Sequence, residues 1–479
     1  MAHRLSALAL GLAAALLPSC SLTTFGDDAC TSNADCRAAF GFGATCGAEG
    51  LCTPPAPPSR CTRTFPQDLF ARPANYASHL ALGVIVNERD PSDVAAENAI
   101  ALAVKQLNDL RGLDGREVAV VFCTNEEDPE RDTASEEEAT AALGAYLAGA
   151  LDAPAIVGPS TSSQAEALYA TLAPRGALMI SHSATSTALT QLDADTRLLW
   201  RTCPPDSEQG AAIADDLASR SVARVAVIYE DGSYGAGLAQ VFGDAFRGTA
   251  TPFPFALGNV TLRDAQAMAV AGRAGDFDEV LFISSDFADT QQFLRYAART
   301  PGLADMPIFL TDTAAASPEF LDDTVAAPLF PRLRGSRPAL ATGPVYDQFI
   351  AAYGSRFMTA PDVRQYQYAP HAYDATWLVF AGATRALAAG GAITGSAIAE
   401  GLTHLSDVRP GGATFDLLPG SWETLSAELA AGRDVDVRGA SGELDFDAST
   451  NETSGPVEIW RIGGMPGAPT IVVDGVFTP

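Results

Sequence analysis

Five short loops carry the residue types from which a small-molecule site can be built. Gly158-Pro159-Ser160-Thr161-Ser162-Ser163 and His182-Ser183-Ala184-Thr185-Ser186 offer hydroxyls ahead of helical segments. Glu230-Asp231-Gly232-Ser233-Tyr234-Gly235, Ser284-Ser285-Asp286-Phe287 and Thr311-Asp312-Thr313 offer carboxylates and aromatic rings. This is the chemistry of recognition. A carboxylate settles at a helix N-terminus, where unpaired N–H groups and the helix dipole favour negative charge; Ser160 and Thr185 add hydroxyl donors. Asp312, Asp286 or Asp231 can face an ammonium, and Tyr234 and Phe287 can cover apolar parts of a ligand. A guest with one anionic and one cationic end satisfies both sets. Each residue also has an ordinary role, since Ser, Thr and Asp cap helices and Tyr234 can pack between strand and helix. The repetition of such loops is what singles out the set.

Catalysis finds no comparable support. The chain has no G-x-S-x-G, H-E-x-x-H, G-x-x-x-x-G-K-[ST] or G-x-G-x-x-G motif, and Gly235-Ala236-Gly237 lacks a third glycine. His182 adjoins Ser183, but neighbours in sequence seldom face each other as nucleophile and base. With five histidines in the chain, no catalytic residue, metal site or cofactor is expected.

The loops need elements to hold them. Leu80–Val86 is a continuous apolar run, the mark of a strand buried on both faces, and Ala95–Asn108 follows with helical spacing. Further strands are expected at Glu117–Phe122, Ala155–Val157, Ala177–Ser181, Ala223–Tyr229, Glu279–Ile283 and Pro307–Leu310. Helices are expected at Ser135–Leu151, Ser163–Leu172, Glu208–Ser219, Gly235–Phe246 and Thr290–Arg299. Such alternation predicts an α/β fold with doubly wound parallel sheets, and its length, about 400 residues, predicts two lobes. Ligands in such sheets lie outside the carboxyl ends of the strands, where the five loops fall.

Composition narrows the partners. The 479 residues include 58 Asp+Glu against 30 Lys+Arg, a formal charge of −28. Nucleic acid is excluded as a partner, because no basic stripe exists to neutralise phosphates. Residues 1–19 read as an export signal: His3-Arg4, then thirteen residues Leu5–Leu17, short of the ~20 a membrane span needs. Leu17-Pro18-Ser19-Cys20 resembles the lipobox of bacterial lipoproteins, which implies lipidation of Cys20 and a membrane anchor; a conventional signal with a coincidental cysteine is the alternative. In the Cys-rich segment 20–52, Cys30, Cys36, Cys46 and Cys52 are spaced C-x5-C-x9-C-x5-C. Two disulfides would staple a segment too small for its own core, in any of three connectivities; the spacing is too wide for a zinc knuckle. Cys61, Cys123 and Cys203 leave an odd count. The proline-rich stretch Thr53–Ser59, within 53–78, is expected to be a semi-rigid spacer holding the body away from the lipid.

Residues 79–465 resemble the type I periplasmic binding proteins of the Leu/Ile/Val branch, the extracellular receptors of ABC transporters. The likeness runs through Ala155–Ser163, Leu178–Thr185 with Leu189-Thr190, Arg201-Thr202, Asp206–Gly210, Val225–Tyr229 through Tyr234–Gly237, and Gly439–Asp447 with Val457–Trp460. It implies a clamshell with a three-segment hinge: lobe 1 at 79–202 and 337–435, lobe 2 at 203–336 and 436–479. It implies that Ser160 and Thr185, with neighbouring Thr161 and the backbone of Ser183, bind a ligand α-carboxylate. Tyr234 and Phe287 would line the second wall, and Asp312 would hold the α-ammonium. The implied partners are an amino acid or related carboxylate and a membrane permease, or a signalling protein if the clamshell serves as a sensor. Departures are visible. Asn87-Glu88-Arg89-Asp90 replaces the family's glycine-containing loop, Pro159 stands where Cys123 would find its usual partner, and Thr403–Val437 has no counterpart.

Overall fold

Continuous apolar runs become parallel strands covered on both faces. The computed structural model describes residues 30–193, 196–316, 318–406, 413–465 and 467–479; the expected signal and Cys20 lie outside them. One sheet has the strand order Arg63–Phe65, Val118–Thr124, Leu80–Val86, Ala155–Val157, Leu178–Ser181, Leu199–Arg201. Only its Arg63–Phe65 edge is antiparallel. The other runs Thr249–Phe255, Arg224–Glu230, Glu279–Ile283, Ile308–Leu310, Leu333–Pro338, Val457–Met465, Ala468–Phe477. Its first five strands are parallel and its last two antiparallel.

The chain passes between the sheets three times. It leaves the first after Leu199–Arg201, returns after Leu333–Pro338 into the helix Pro344–Arg356, and crosses again before Val457–Met465. The expected class, two doubly wound lobes with a three-segment connection, is the observed one. The first-lobe segment that leads into the last crossing is fastened by Asp374. Its fully buried carboxylate accepts from the amides of Ala440 (2.8 Å) and Ser441 (2.6 Å). An added methyl on Gly439 would lie 2.1 Å from that carboxylate, so the close approach requires glycine.

Two elements escape sequence patterning for physical reasons. Thr249–Phe255 contains Pro252 and Pro254, which ordinarily exclude a strand; it pairs on one side only, with Arg224–Glu230, and an edge strand tolerates missing donors. Ala369–Ala388 is apolar on almost every face and buried along most of its length, so it shows no helical stripe. It forms the centre of the first lobe, with Trp377 against Trp422 at 5.2 Å between ring centroids. Trp422 belongs to the segment without a family counterpart. In that segment the helix Pro419–Ala430 joins two short parallel strands, Thr414–Asp416 and Asp436–Arg438, and buries Leu425 and Leu429 in the first-lobe core.

The cysteine knot is closed by Cys30–Cys46 and Cys36–Cys52. It corrects the expectation of a body held off by a spacer. Phe42 is fully buried in a cluster with Leu147 and Leu151, Asn33 donates to the Gly149 carbonyl at 3.0 Å, and Arg37 faces Asp152 at 3.6 Å. The knot is part of the first lobe. Cys61 is bonded to Cys123, which fastens the lead-in to a central strand, and Cys203 is the free, buried thiol. The odd count is thereby resolved, and Cys123 has a partner other than the family's usual position.

Candidate functional site

In both sheets the strand order reverses at the first strand, and the loops leaving adjacent strands there diverge into a crevice. In the first lobe the reversal lies between Leu80–Val86 and Ala155–Val157; in the second, between Arg224–Glu230 and Glu279–Ile283. The two crevices form one cleft. Ser160, Thr161, Ser183 and Thr185 line it from the first lobe, and Tyr234, Phe287 and Asp312 from the second. The seven residues that the resemblance places on the ligand all line it, whereas Asp286 and Asp231 do not.

The first wall is built around Gly158, whose φ is +97°. A Cβ there would lie 2.3 Å from the Ile85 carbonyl, so only glycine lets the loop fold back over the strand end. Thr161 then caps the helix Ser162–Leu172 without a side-chain capping bond, leaving first-turn amides for another acceptor. The Ser160 hydroxyl donates to Asp93, and the Ser183 hydroxyl donates to the Ser160 carbonyl at 2.9 Å. The carbonyl of buried Thr185 accepts from the Asp206 amide at 2.8 Å.

The second wall centres on Asp312. Its carboxylate accepts from the hydroxyls of Tyr234 and Tyr368 (2.6 Å for Tyr368) and from Gln209 Nε2 at 2.9 Å. Burial and then the Asp312 charge push both tyrosine hydroxyls well above their usual range, so they remain donors. The other two acids considered for an ammonium lie elsewhere. Asp286 caps the helix Phe287–Ala297 through the Ala288 amide at 2.5 Å, and Asp231 is exposed.

Several lining residues escaped the sequence reading. Asp90, Ser92 and Asp93 come from the turn after Leu80–Val86, and Ser285, Thr313 and Tyr368 from the far wall and the hinge side. Asp90 caps the helix Pro91–Asp109 through the Ser92 amide at 2.8 Å, and Asp93 accepts from the Asn87 amide at 2.7 Å. The signal was available, since Asn87–Asp90 also follows a parallel strand; Tyr368 follows no strand and gave none. The lobes touch at the cleft mouth, where the Ser186 hydroxyl donates to the Ser233 carbonyl at 2.9 Å.

Arg201 braces the hinge. Its fully buried guanidinium donates to Glu452, the Ser186 carbonyl (2.9 Å), the Ala184 carbonyl (3.2 Å) and the Thr190 hydroxyl (2.9 Å). The loop bearing Thr185 is therefore held by the crossing segment. His182 lies buried behind this loop, and burial, then nearby His371, pushes its pKa down to about 3. It is not hydrogen-bonded to Ser183, so the conceivable nucleophile–base pair is not assembled.

Buried carboxyls at the site and in the first lobe predict a pH response. Burial, then the charge of Asp312, raises Asp206 to about 8; burial raises Glu230 and Asp374 to about 7. In unfolded chains these groups titrate near ~4. Between those values the folded state binds more protons, so stability is greatest at the acidic end of the window and declines as pH rises through the folded values. The thermal midpoint is expected to be higher at about pH 5.5 than at about pH 8.5. A midpoint that rises over that interval would show that these groups are ionised in the fold without penalty.

A model of the "Receptor family ligand binding region" matches residues 95–465. The chain belongs to this family. Among relatives of this receptor-family chain is the "Chemotactic signal transduction system substrate-binding protein BasB" of Halobacterium salinarum. It is 27% identical over 368 residues, covering 75% of this chain and 80% of that protein. The "Leu/Ile/Val-binding protein homolog 3" of Brucella melitensis is 28% identical over 183 residues, 36% of this chain and 46% of that protein. The fold is that of type I periplasmic binding proteins. A branched-chain amino acid transporter substrate-binding protein, LivJ from Streptococcus pneumoniae, solved with isoleucine, superposes with a TM-score of 0.59. Its identity is 22%, covering 82% of this chain and 99% of that one. The leucine-binding protein LivK from Thermotoga maritima gives 0.62 at 18% identity, covering 84% and 99%.

Proposed function

We propose that this protein is an extracytoplasmic solute receptor that encloses a small amino-acid-like ligand between its lobes and presents the closed form to an ABC transporter permease. One observation carries the reading: loops from two lobes supply, to a single cleft, uncapped helix amides and hydroxyls on one wall and a tyrosine-held carboxylate on the other. That pair of walls is complementary to an α-carboxylate and an α-ammonium. Binding is a population shift, because only the closed state makes both sets of contacts. The ligand undergoes no chemistry. Lipidation of Cys20 would tether the receptor to the envelope; uptake of labelled fatty acid by the wild type and not by Cys20→Ser checks this.

Signalling is a second reading, favoured by the chemotactic relative from Halobacterium salinarum. The two share the same ligand step and differ in the partner of the closed form. A thermal-shift screen of the purified protein against amino acids and small carboxylates tests that step. A ligand at 100 times its Kd should add about 2.7 kcal/mol of stability. If no amino acid or small carboxylate moves the midpoint, the proposal fails.

A further inference from the structure

Two hydroxyls in the cleft are left over once the charged ends of an amino acid have been seated. Ser92 lines it from the first lobe and Thr313 from the second. Neither hydroxyl makes a hydrogen bond with another described residue. Ser92 is 6% exposed, and Asp90 takes its amide, not its hydroxyl, at 2.8 Å. The other lining hydroxyls are spoken for. Ser160 donates to Asp93, Ser183 to the Ser160 carbonyl, Ser285 to Glu230 at 3.0 Å, and both tyrosines to Asp312. Ser162 accepts from the Ser186 amide at 3.1 Å. Thr161 and Thr185 stand on the wall assigned to the α-carboxylate.

The leftover pair bears on what the cleft can enclose. Closure over an aliphatic side chain would take both hydroxyls from water and give them nothing in return, which costs free energy for each. A side chain with its own polar atom replaces the lost water. A second observation points the same way. Among the described residues, Phe287 and Ala316 are the only lining side chains without a polar atom. A branched aliphatic group would find little wholly apolar surface to cover, so its burial would return little of the usual gain.

Charged side chains fit less well. The lining contains no Lys, Arg or His to receive an anion. A cation would meet carboxylates that already have partners, since Asp93 accepts from Ser160 and from the Asn87 amide, and Asp90 from the Ser92 amide. We infer that the cleft is selective for amino acids with a neutral hydrogen-bonding side chain, a hydroxyl or a carboxamide, and that Ser92 and Thr313 are the specificity residues. This rests on the proposed receptor function and goes beyond it by naming the ligand class.

Calorimetric titration of the purified protein with near-isosteric pairs tests the inference: L-threonine against L-valine, and L-asparagine against L-leucine, with L-lysine as the charged probe. At least one polar member is expected to bind about tenfold or more tighter than its aliphatic counterpart. The Ser92→Ala/Thr313→Val variant is expected to bring that ratio to about one. Both changes remove a hydroxyl at little cost in shape and leave the Ser92 amide to its cap. Either single variant carries the comparison if the double one does not fold. The inference is overturned if valine and leucine bind as tightly as threonine and asparagine, if lysine binds more tightly than all four, or if the variant keeps the wild-type preference. The receptor reading survives each of those results. Silence from every probe also overturns the inference, and the wider thermal-shift screen against small carboxylates then decides the receptor reading separately.

Discussion

Asparagine in place of Asp312 is expected to reduce ligand affinity by about 100-fold or more, while the unliganded protein keeps or gains thermal stability. Asp312 is 4% exposed, and among the described residues its carboxylate accepts from the neutral donors Tyr234, Tyr368 and Gln209. An ammonium placed there completes a buried, hydrogen-bonded ion pair, and removing one partner of such a pair costs ~2–5 kcal/mol. The carboxylate also burdens the fold, since burial and then the Asp312 charge push Asp206 toward the protonated form. Titration with L-leucine and L-lysine, beside thermal melts of the free variant, separates the two effects. A variant that binds like the wild type would remove Asp312 from the ammonium role; one that unfolds would make it a structural partner of the tyrosines.

Arg201→Met is expected to be the most damaging single change to folding, at about 3–5 kcal/mol. Methionine fills much of the volume but removes the Arg201 donor from the Ala184 and Ser186 carbonyls, the Thr190 hydroxyl and the Glu452 carboxylate, which keeps only the Thr190 hydroxyl as a donor. Urea unfolding measures the loss. Because Arg201 also fixes the loop bearing Thr185, the variant is expected to bind less tightly even where it is fully folded. A cost below about 1 kcal/mol would mean that the hinge relaxes around the gap or that water enters it.

Much of the fold was legible because parallel strands buried on both faces print themselves as unbroken apolar runs. Leu80–Val86, Ala155–Val157 and Glu279–Ile283 have the expected bounds, and the other expected strands differ by one or two residues at an end. Ala369–Ala388 was illegible for the opposite reason, since a helix wrapped on all sides has no polar stripe. The docking of the cysteine knot was also hidden: Phe42 looks like any loop aromatic until the first lobe is there to receive it. At the site, hydroxyls and acids after strands could be listed, but not sorted. By residue type Asp286 and Asp312 look equivalent; the family resemblance points to Asp312, and the fold shows that Asp286 closes a helix end while Asp312 faces the cleft. Asp90 and Asp93 were passed over because their loop departs from the family pattern.

All three disulfides among the described residues fall in the first lobe and the knot docked on it, and the second lobe is held by packing, hydrogen bonds and ion pairs such as Arg263–Asp289. The two halves of the receptor therefore differ in their sensitivity to redox surroundings. A reductant subtracts from one half and leaves the other as it was. A copy of the chain retained in a thiol-rich cytoplasm would carry a sound second half joined to an unlocked first, and so would display a single wall of the cleft. Maturation to full affinity would then coincide with arrival in an oxidising space.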